Sequence, residues 1–306
     1  EGDFPADELA APGYESAVHG TGRWNGVAIV SRVGLEDVRR GLADQPGFQA
    51  EDSMVAVSEP RAIAATCGGV RVWSVYVPNG RTVEHAHYAY KLQWLAALRT
   101  TTLEELRPGR PFAVLGDFNI APTDADVWDI NQFTESTHVT EPERAALAAL
   151  REAGLADVYP RPLKYDVPFT YWDYRQLCFP KNRGMRIDLV YADKAFAAAV
   201  SDAYVDREAR LALMDEQGLD ACLVLPTFGV CVEHFMVDDV DATYDNLHAF
   251  NRWLDDDWGF AWRDRIFAPP LLSLLDVDRA VAELEWVIDA GARVVHLRPG
   301  PQGGRS

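Results

Sequence analysis

Lysine is scarce in this chain: of 306 residues four are lysine, and none follows Lys194. With a formal net charge of −18, the composition excludes a protein that coats nucleic acid along its length, because phosphate neutralisation dominates such binding. It leaves room for a DNA enzyme with a local basic wall around acidic metal ligands. Cysteine is scarce too. Cys67, Cys178, Cys222 and Cys231 show no Cys-x-x-Cys spacing, which suits reduced structural thiols in a cytoplasmic protein better than a disulfide framework. No apolar run approaches the ~20 residues of a membrane span, and no basic-then-apolar stretch marks a secretory signal. The chain opens on Glu1 instead of Met, which implies a processed or truncated start. No Gly-, Ser- or Pro-rich linker, internal repeat or low-complexity segment interrupts it.

What is present divides near Arg210. All four lysines lie before that point, and the acid excess per residue is higher after it. Residues 1–210 are dominated by strand-like runs: Trp24–Ser31, Val70–Val77, Phe112–Gly116 and Arg186–Ala192. Two helical stretches interrupt them, about Val83–Leu106 and Glu141–Gly154, the second opened by the capping box Thr140-x-x-Glu143. Residues 211–306 alternate instead: strand Ala221–Leu225, helix Thr243–Asp255, strand Arg265–Phe267, helix Asp278–Ala290, strand Ala292–Leu297. A β-α-β-α-β order is that of a parallel sheet or barrel. The length suits one large domain or two modest ones; the reading is two, 1–210 and 211–306.

The chemistry concentrates where the apolar run Pro111–Leu115 ends in Gly116-Asp117-Phe118-Asn119. A carboxylate and a carboxamide two residues apart leave a strand end on the same side. Hard oxygen ligands there suit Mg²⁺ and phosphate chemistry, although an Asp-x-Asn after a strand also suits an Asx turn. Three more motifs follow the same theme: Tyr76-Val77-Pro78-Asn79-Gly80 with Arg81 beyond it, Phe169-Thr170-Tyr171-Trp172-Asp173-Tyr174, and Asn182-Arg183-Gly184-Met185-Arg186-Ile187-Asp188. Arg175, Lys181, Arg183 and Arg186, with no acid between them, read as the basic wall. The lone histidines His19, His85, His87 and His138 read as surface or packing residues.

Together these motifs resemble the exonuclease III / abasic-endonuclease family of the endonuclease–exonuclease–phosphatase superfamily, over essentially all of residues 1–210. The resemblance implies an α/β fold, a four-layer sandwich of two packed sheets, and a Mg²⁺-dependent hydrolase (Mn²⁺ as the alternative ion) acting on double-stranded DNA at abasic sites and 3′ ends. It implies that Asp117 orients and deprotonates the attacking water. Asn119 would donate to a phosphate oxygen or hold the water, Tyr76 would steady the phosphate or the leaving oxygen, and Asp188 would orient the centre through an indirect contact or help hold metal. Asp117 and Asn119 would be its metal-side residues. Asn79, Arg81, Tyr171, Trp172, Asn182, Arg183, Met185 and Ile187 would face DNA, with Tyr171, Met185 and Ile187 forming an apolar niche for a flipped-out baseless sugar. No membrane association or protein partner is implied.

The chain also departs from that pattern. The family's early Asn-bearing strand, the strand whose Glu is the principal Mg²⁺ ligand, and the closing Ser-Asp-His loop have no counterpart; Leu211-Ala212-Leu213-Met214 stands where that loop should come. The expectation is therefore an incomplete sandwich and an impaired nuclease. Residues 211–306 resemble a fragment of an amidohydrolase-related TIM-barrel hydrolase, carried by Arg210–Gly218, Leu225-Pro226-Thr227, Ala249–Leu254, Arg265–Pro269 and Leu297–Pro301. His234, His248 and His296 are singletons there, and no metal site is assigned. The alternatives are an amidohydrolase-type fusion and a catalytically dead DNA-binding or chimeric chain.

Overall fold

The computed structural model describes residues 4, 6–10, 13–21, 25–49, 55–160, 167–173, 178, 181–201, 203, 211, 214–215, 219–223 and 238–297. Trp24, Arg175, His234, Cys231, the Leu225-Pro226-Thr227 run and all of 298–301 and 205–210 lie outside them. The chain forms two compact units: Glu1–Tyr171 with Met185–Tyr204, and Trp172–Gly184 with Val205–Ser306.

In the first unit, a period-2 pattern decides which way the central sheet faces. Along Val70–Tyr76 (β5), Arg71, Trp73 and Val75 are buried while their neighbours are half-exposed, as expected when alternate residues point to opposite faces. The sheet has six strands, whose spatial order starts from β3 (Glu36–Arg40) and β4 (Ala62–Cys67). It continues through β5, β6 (Phe112–Asp117), β10 (Asp188–Asp193) and β7 (Leu155–Asp157). The β5–β6 pair is parallel, and the β4–β5, β6–β10 and β10–β7 pairs are antiparallel. Two-residue strands β8 (Tyr171–Trp172) and β9 (Gly184–Met185) straddle the division between the units.

One face of this sheet is covered by helices α2 (Ala86–Glu105) and α3 (Glu141–Glu152), which follow the short α1 (Ala6–Ala10). Trp73, Val75, Phe112, Val114, Leu189 and Tyr191 from the strands pack with Tyr90, Trp94, Leu98, Leu147 and Leu150 from the helices. The capping box opens α3 as expected: Thr140 Oγ1 accepts from Glu143 N, and Glu143 reaches back to Thr140 N. The other face meets the antiparallel pair β1 (Glu15–Thr21) and β2 (Asn25–Ser31), with Ala17, Val27 and Ile29 against Ile63 and Ala65. Helices, a six-stranded sheet and a second, two-stranded sheet give this unit the mixed α/β architecture expected of it. A helix α4 (Lys194–Ala199) follows β10.

The second unit packs α5 (Val240–Asp257) and α6 (Val277–Asp289) around Leu247, Phe250, Leu254, Ile266, Leu271 and Val287. Strand β11 (Cys222–Leu223) pairs in parallel with β13 (Ile266–Phe267), which takes β12 (Ala261–Trp262) antiparallel; β14 (Leu271–Leu272) pairs in parallel with β15 (His296–Leu297). The alternating order is present, but among the described residues the strands form two separate small sheets and no closed barrel.

Gly116 is the backbone hinge of the site strand. Its φ is +139°, and a Cβ there would stand 2.0 Å from the Val75 carbonyl oxygen. Gly116→Ala is expected to destabilise the chain by at least about 2 kcal/mol, because β5 or β6 must move. Urea unfolding of the two proteins checks this; an unchanged midpoint would contradict the close approach.

Candidate active site

Strand register brings the expected residues together. Tyr76 on β5 stands opposite Asp117 on β6, and Asp188 on β10 stands opposite Asp117 from the other side. Directly paired residues share a face, so the phenol and both carboxylates rise from the same side of three adjacent strand ends. Asp117 and Tyr76 are half-buried, and Asp188 is exposed.

Asp117 is held by its neighbour two residues on. Its Oδ1 accepts from Asn119 N at 2.7 Å and its Oδ2 from Asn119 Nδ2 at 3.0 Å. Asn119 adopts φ +51° and is 4% exposed. Its Nδ2 also donates to Val77 O at 3.0 Å, and its Oδ1 accepts from Asn79 Nδ2 at 3.0 Å. The Asx turn and the site are thus one arrangement. Both Nδ2 hydrogens of Asn119 are committed, which makes its role toward Asp117 one of orientation.

Burial and the facing Asp188 push the Asp117 carboxyl up to about 7; Asp188 is exposed as a residue, but the protein displaces water around its carboxyl and raises it as well. Arg61, which the sequence did not flag, offsets this in part: its charge draws Asp117 down. Arg61 is 5% exposed, bonds Glu59 through Nε at 2.6 Å, and lies over the Tyr76 ring at 4.7 Å.

Asn79 sits on the exposed loop after β5. His138, at φ +87°, brings a ring nitrogen to 3.3 Å from Asn79 Nδ2. Burial, with Lys91 nearby, pushes His138 down to about 4, so its ring is neutral at pH 7 and accepts there. His138 is thus a partly buried packing residue, as one arm of the expectation had it, and it touches the loop that carries Asn79. Arg81, at φ +61°, donates its backbone N–H to Asn79 Oδ1 and directs Nη1 to His85 Nε2 at 3.0 Å.

The aromatic and basic motifs divide. Tyr171, Met185 and Ile187 join one apolar cluster with Val127, Ile130 and Phe133, in which Ile187 is buried. Trp172, Asn182 and Arg183 belong to the second unit, where Trp172 Nε1 donates to Asn182 Oδ1 at 3.2 Å and Arg183 N to Cys178 O at 2.8 Å. Arg186 corrects the basic wall. It is 1% exposed and bonds Asp126 Oδ1 at 2.7 Å and Asp157 Oδ2 at 2.9 Å, a buried triad that ties β7 to the segment leading into β10. Lys181 is exposed, as expected.

The donor set fits a divalent cation in a limited way. Among the described residues no group of three or more His, Cys, Asp or Glu converges. Asp117 and Asp188 supply two hard carboxylates whose shared charge a cation would relieve. Mg²⁺ is often bound by one or two carboxylates with water and substrate phosphate completing the shell. The pair suits that mode and not a closed protein cage.

The comparisons with known proteins agree with this geometry. The profile of the endonuclease/exonuclease/phosphatase family matches residues 2–228. The chain belongs to that family. It is 27% identical over 217 residues to exodeoxyribonuclease III of Haemophilus influenzae, covering 68% of this chain and 79% of that one. The 3′ phosphatase NExo from Neisseria, solved with a product DNA hairpin, superposes with a TM-score of 0.60 at 37% identity, covering 69% of this chain and 78% of that one. An AP endonuclease from Archaeoglobus fulgidus gives a TM-score of 0.59 at 30% identity, over 69% and 79%. These relatives of the family member described here are nucleases and DNA-processing hydrolases. An amidohydrolase from Mycobacterium avium subsp. paratuberculosis matches 32% of the chain at 49% identity with a TM-score of 0.31.

A pH experiment tests the electrostatics of Asp117. A carboxyl raised from 3.8 to about 7 favours the folded state when protonated. That contribution is complete below about pH 4 and is lost as pH rises through about 7. In EDTA, Asp117→Asn is therefore expected to gain stability relative to the parent between pH 4 and pH 8, by on the order of 2–4 kcal/mol. Denaturant unfolding at several pH values reads this difference; a gap that stays constant with pH would contradict it.

Proposed function

We propose that this chain is a Mg²⁺-dependent phosphodiesterase of the exonuclease III type, acting on duplex DNA at abasic sites and 3′ ends, with impaired turnover. The in-register trio Tyr76, Asp117 and Asp188, clamped by Asn119 and Asn79, carries the reading. Phosphodiester hydrolysis needs a base to take a proton from the attacking water and groups that receive developing negative charge.

Asp117 supplies the base. A carboxylate pushed up to about 7 is ionised often enough near neutrality and basic enough to accept the proton. Asn119 fixes the carboxylate plane through the two bonds it donates. Tyr76 directs its phenol toward the phosphate or the leaving oxygen, with the Arg61 guanidinium on its ring face. Asp188 orients the centre from the facing strand. Asp117 and Asp188 would hold Mg²⁺, which when bound neutralises charge on the phosphate. Tyr171 and Met185, backed by Ile187, offer an apolar wall to a sugar without its base. Within the first unit Arg81 would supply a basic group for the DNA backbone.

Impairment follows from the absent closing loop. Leu211-Ala212-Leu213-Met214 stands where the family's closing Ser-Asp-His loop would come, which would leave the centre without that loop's catalytic histidine. Such a group is commonly worth ~10²–10⁴-fold. The proposed organisation places this chemistry in residues 1–210, with 211–306 an amidohydrolase-like appendage.

Purified chain is expected to nick a duplex bearing one abasic site slowly in Mg²⁺ and not in EDTA, and Asp117→Asn is expected to lower the rate at least about 10²-fold. Unchanged nicking in the variant would refute the assignment of the base. A folded chain that binds the duplex without nicking it would leave the DNA-binding reading in place of the enzymatic one.

A further inference from the structure

We propose that Lys91 is the positioning residue of this site, an internal pin that holds the loops carrying Asn79 and Asn119 and through them aims Asp117. The inference deepens the functional reading above and rests on it. Lys91 and Glu143 are both 0% exposed and form an ion pair. Lys91 Nζ donates to Asn119 O at 2.7 Å and to Asn79 O at 3.1 Å, and lies 3.3 Å from Thr137 Oγ1. The other half of the pair gathers a third loop. Glu143 Oε1 accepts from Thr137 Oγ1 at 2.7 Å and His138 N at 3.0 Å, and Oε2 from Thr140 N at 3.0 Å.

Three loops therefore converge on one buried charge pair, and each carries a polar group of the site: Asn79, Asn119 and His138. The contacts run in series. Lys91 fixes the main chain of both asparagines, Asn79 Nδ2 holds Asn119 Oδ1, and Asn119 holds both oxygens of Asp117. Stability alone is a weak reason for such a pair, since neutral residues of similar volume commonly do as well. Positioning is a sufficient one: small displacements of reacting groups cost large factors in rate.

The test separates the pin from the packing. Lys91→Met with Glu143→Gln removes both charges and keeps an acceptor for Thr140 N. The double variant is expected to fold cooperatively, to lose at least tenfold in affinity for a duplex carrying a tetrahydrofuran abasic analogue in EDTA, and to shift the side-chain amide resonances of Asn79 and Asn119. A folded double variant with parental affinity and unmoved resonances would overturn the proposal. Glu143→Gln alone leaves both carbonyl contacts of Lys91 intact and does not depend on the double variant folding. It is expected to leave the side-chain amide resonances of Asn79 and Asn119 in place while loosening the His138 loop, and a shift of both resonances there would overturn the proposal. If the parent chain itself fails to bind the duplex, the DNA reading falls, while the two asparagine resonances still decide whether Lys91 positions them.

Discussion

Three strands that end level, β5, β6 and β10, impose the geometry on which the site depends. Their register sets Tyr76 beside Asp117 and Asp117 beside Asp188, and a slip of one residue would turn every one of those side chains to the helical face. The same register explains Gly116. The strand bearing the carboxylate passes so close to Val75 that no side chain fits between them, which fixes where β6 ends and Asp117 begins. Chemistry and core packing here share one constraint: the face opposite the carboxylates holds Trp73, Val75, Phe112 and Val114 against α2 and α3.

Charge buried inside this acidic chain is placed beneath the site more than around it. Arg61 with Glu59, Lys91 with Glu143, and Arg186 with Asp126 and Asp157 are all shielded from water and paired. Lys91–Glu143 and Arg186 with its two aspartates link segments far apart in the chain, whereas Arg61 and Glu59 are near neighbours in sequence. Breaking one partner of such a pair typically costs about 3–5 kcal/mol, so these residues hold the loops still at the cost of tolerance to substitution. Asp117 and Asp188 stand in contrast as two facing carboxylates, each raised above its ordinary range by burial, with the Asp188 charge adding to the rise at Asp117.

Gly-Asp-x-Asn alone suits an Asx turn as well as a site; the gathering of Tyr76, Asp117 and Asp188 was legible only from the motifs taken together and the family they resemble. Helix α3 was legible from the Thr140–Glu143 box, and α2 as a helical stretch between strand-like runs. Strand β4 was not, since Ala62–Cys67 is buried on both faces and built largely from alanine, with neither alternation nor strong β propensity. Strand β3 was hidden by its polar composition and by the register shift between Glu36 and Arg39. Arg186 read as a surface cation because its partners Asp126 and Asp157 are remote in sequence; only the fold brings them together. Lys91 drew no reading of its own and Glu143 read only as a cap, because nothing local tells a lysine that points into a core from one that points into water.

The central claim is that Asp117 and Asp188 form one cation-receptive centre facing DNA phosphate. Paramagnetic broadening of backbone amide resonances by substoichiometric Mn²⁺, with and without an uncleavable abasic duplex, tests it most directly. The account predicts that the amides of Asp117, Phe118, Asn119 and Asp188 broaden first, and at lower Mn²⁺ when DNA is present. Broadening confined to acidic surface such as Asp255–Asp257, with these four untouched in the presence of DNA, would contradict it.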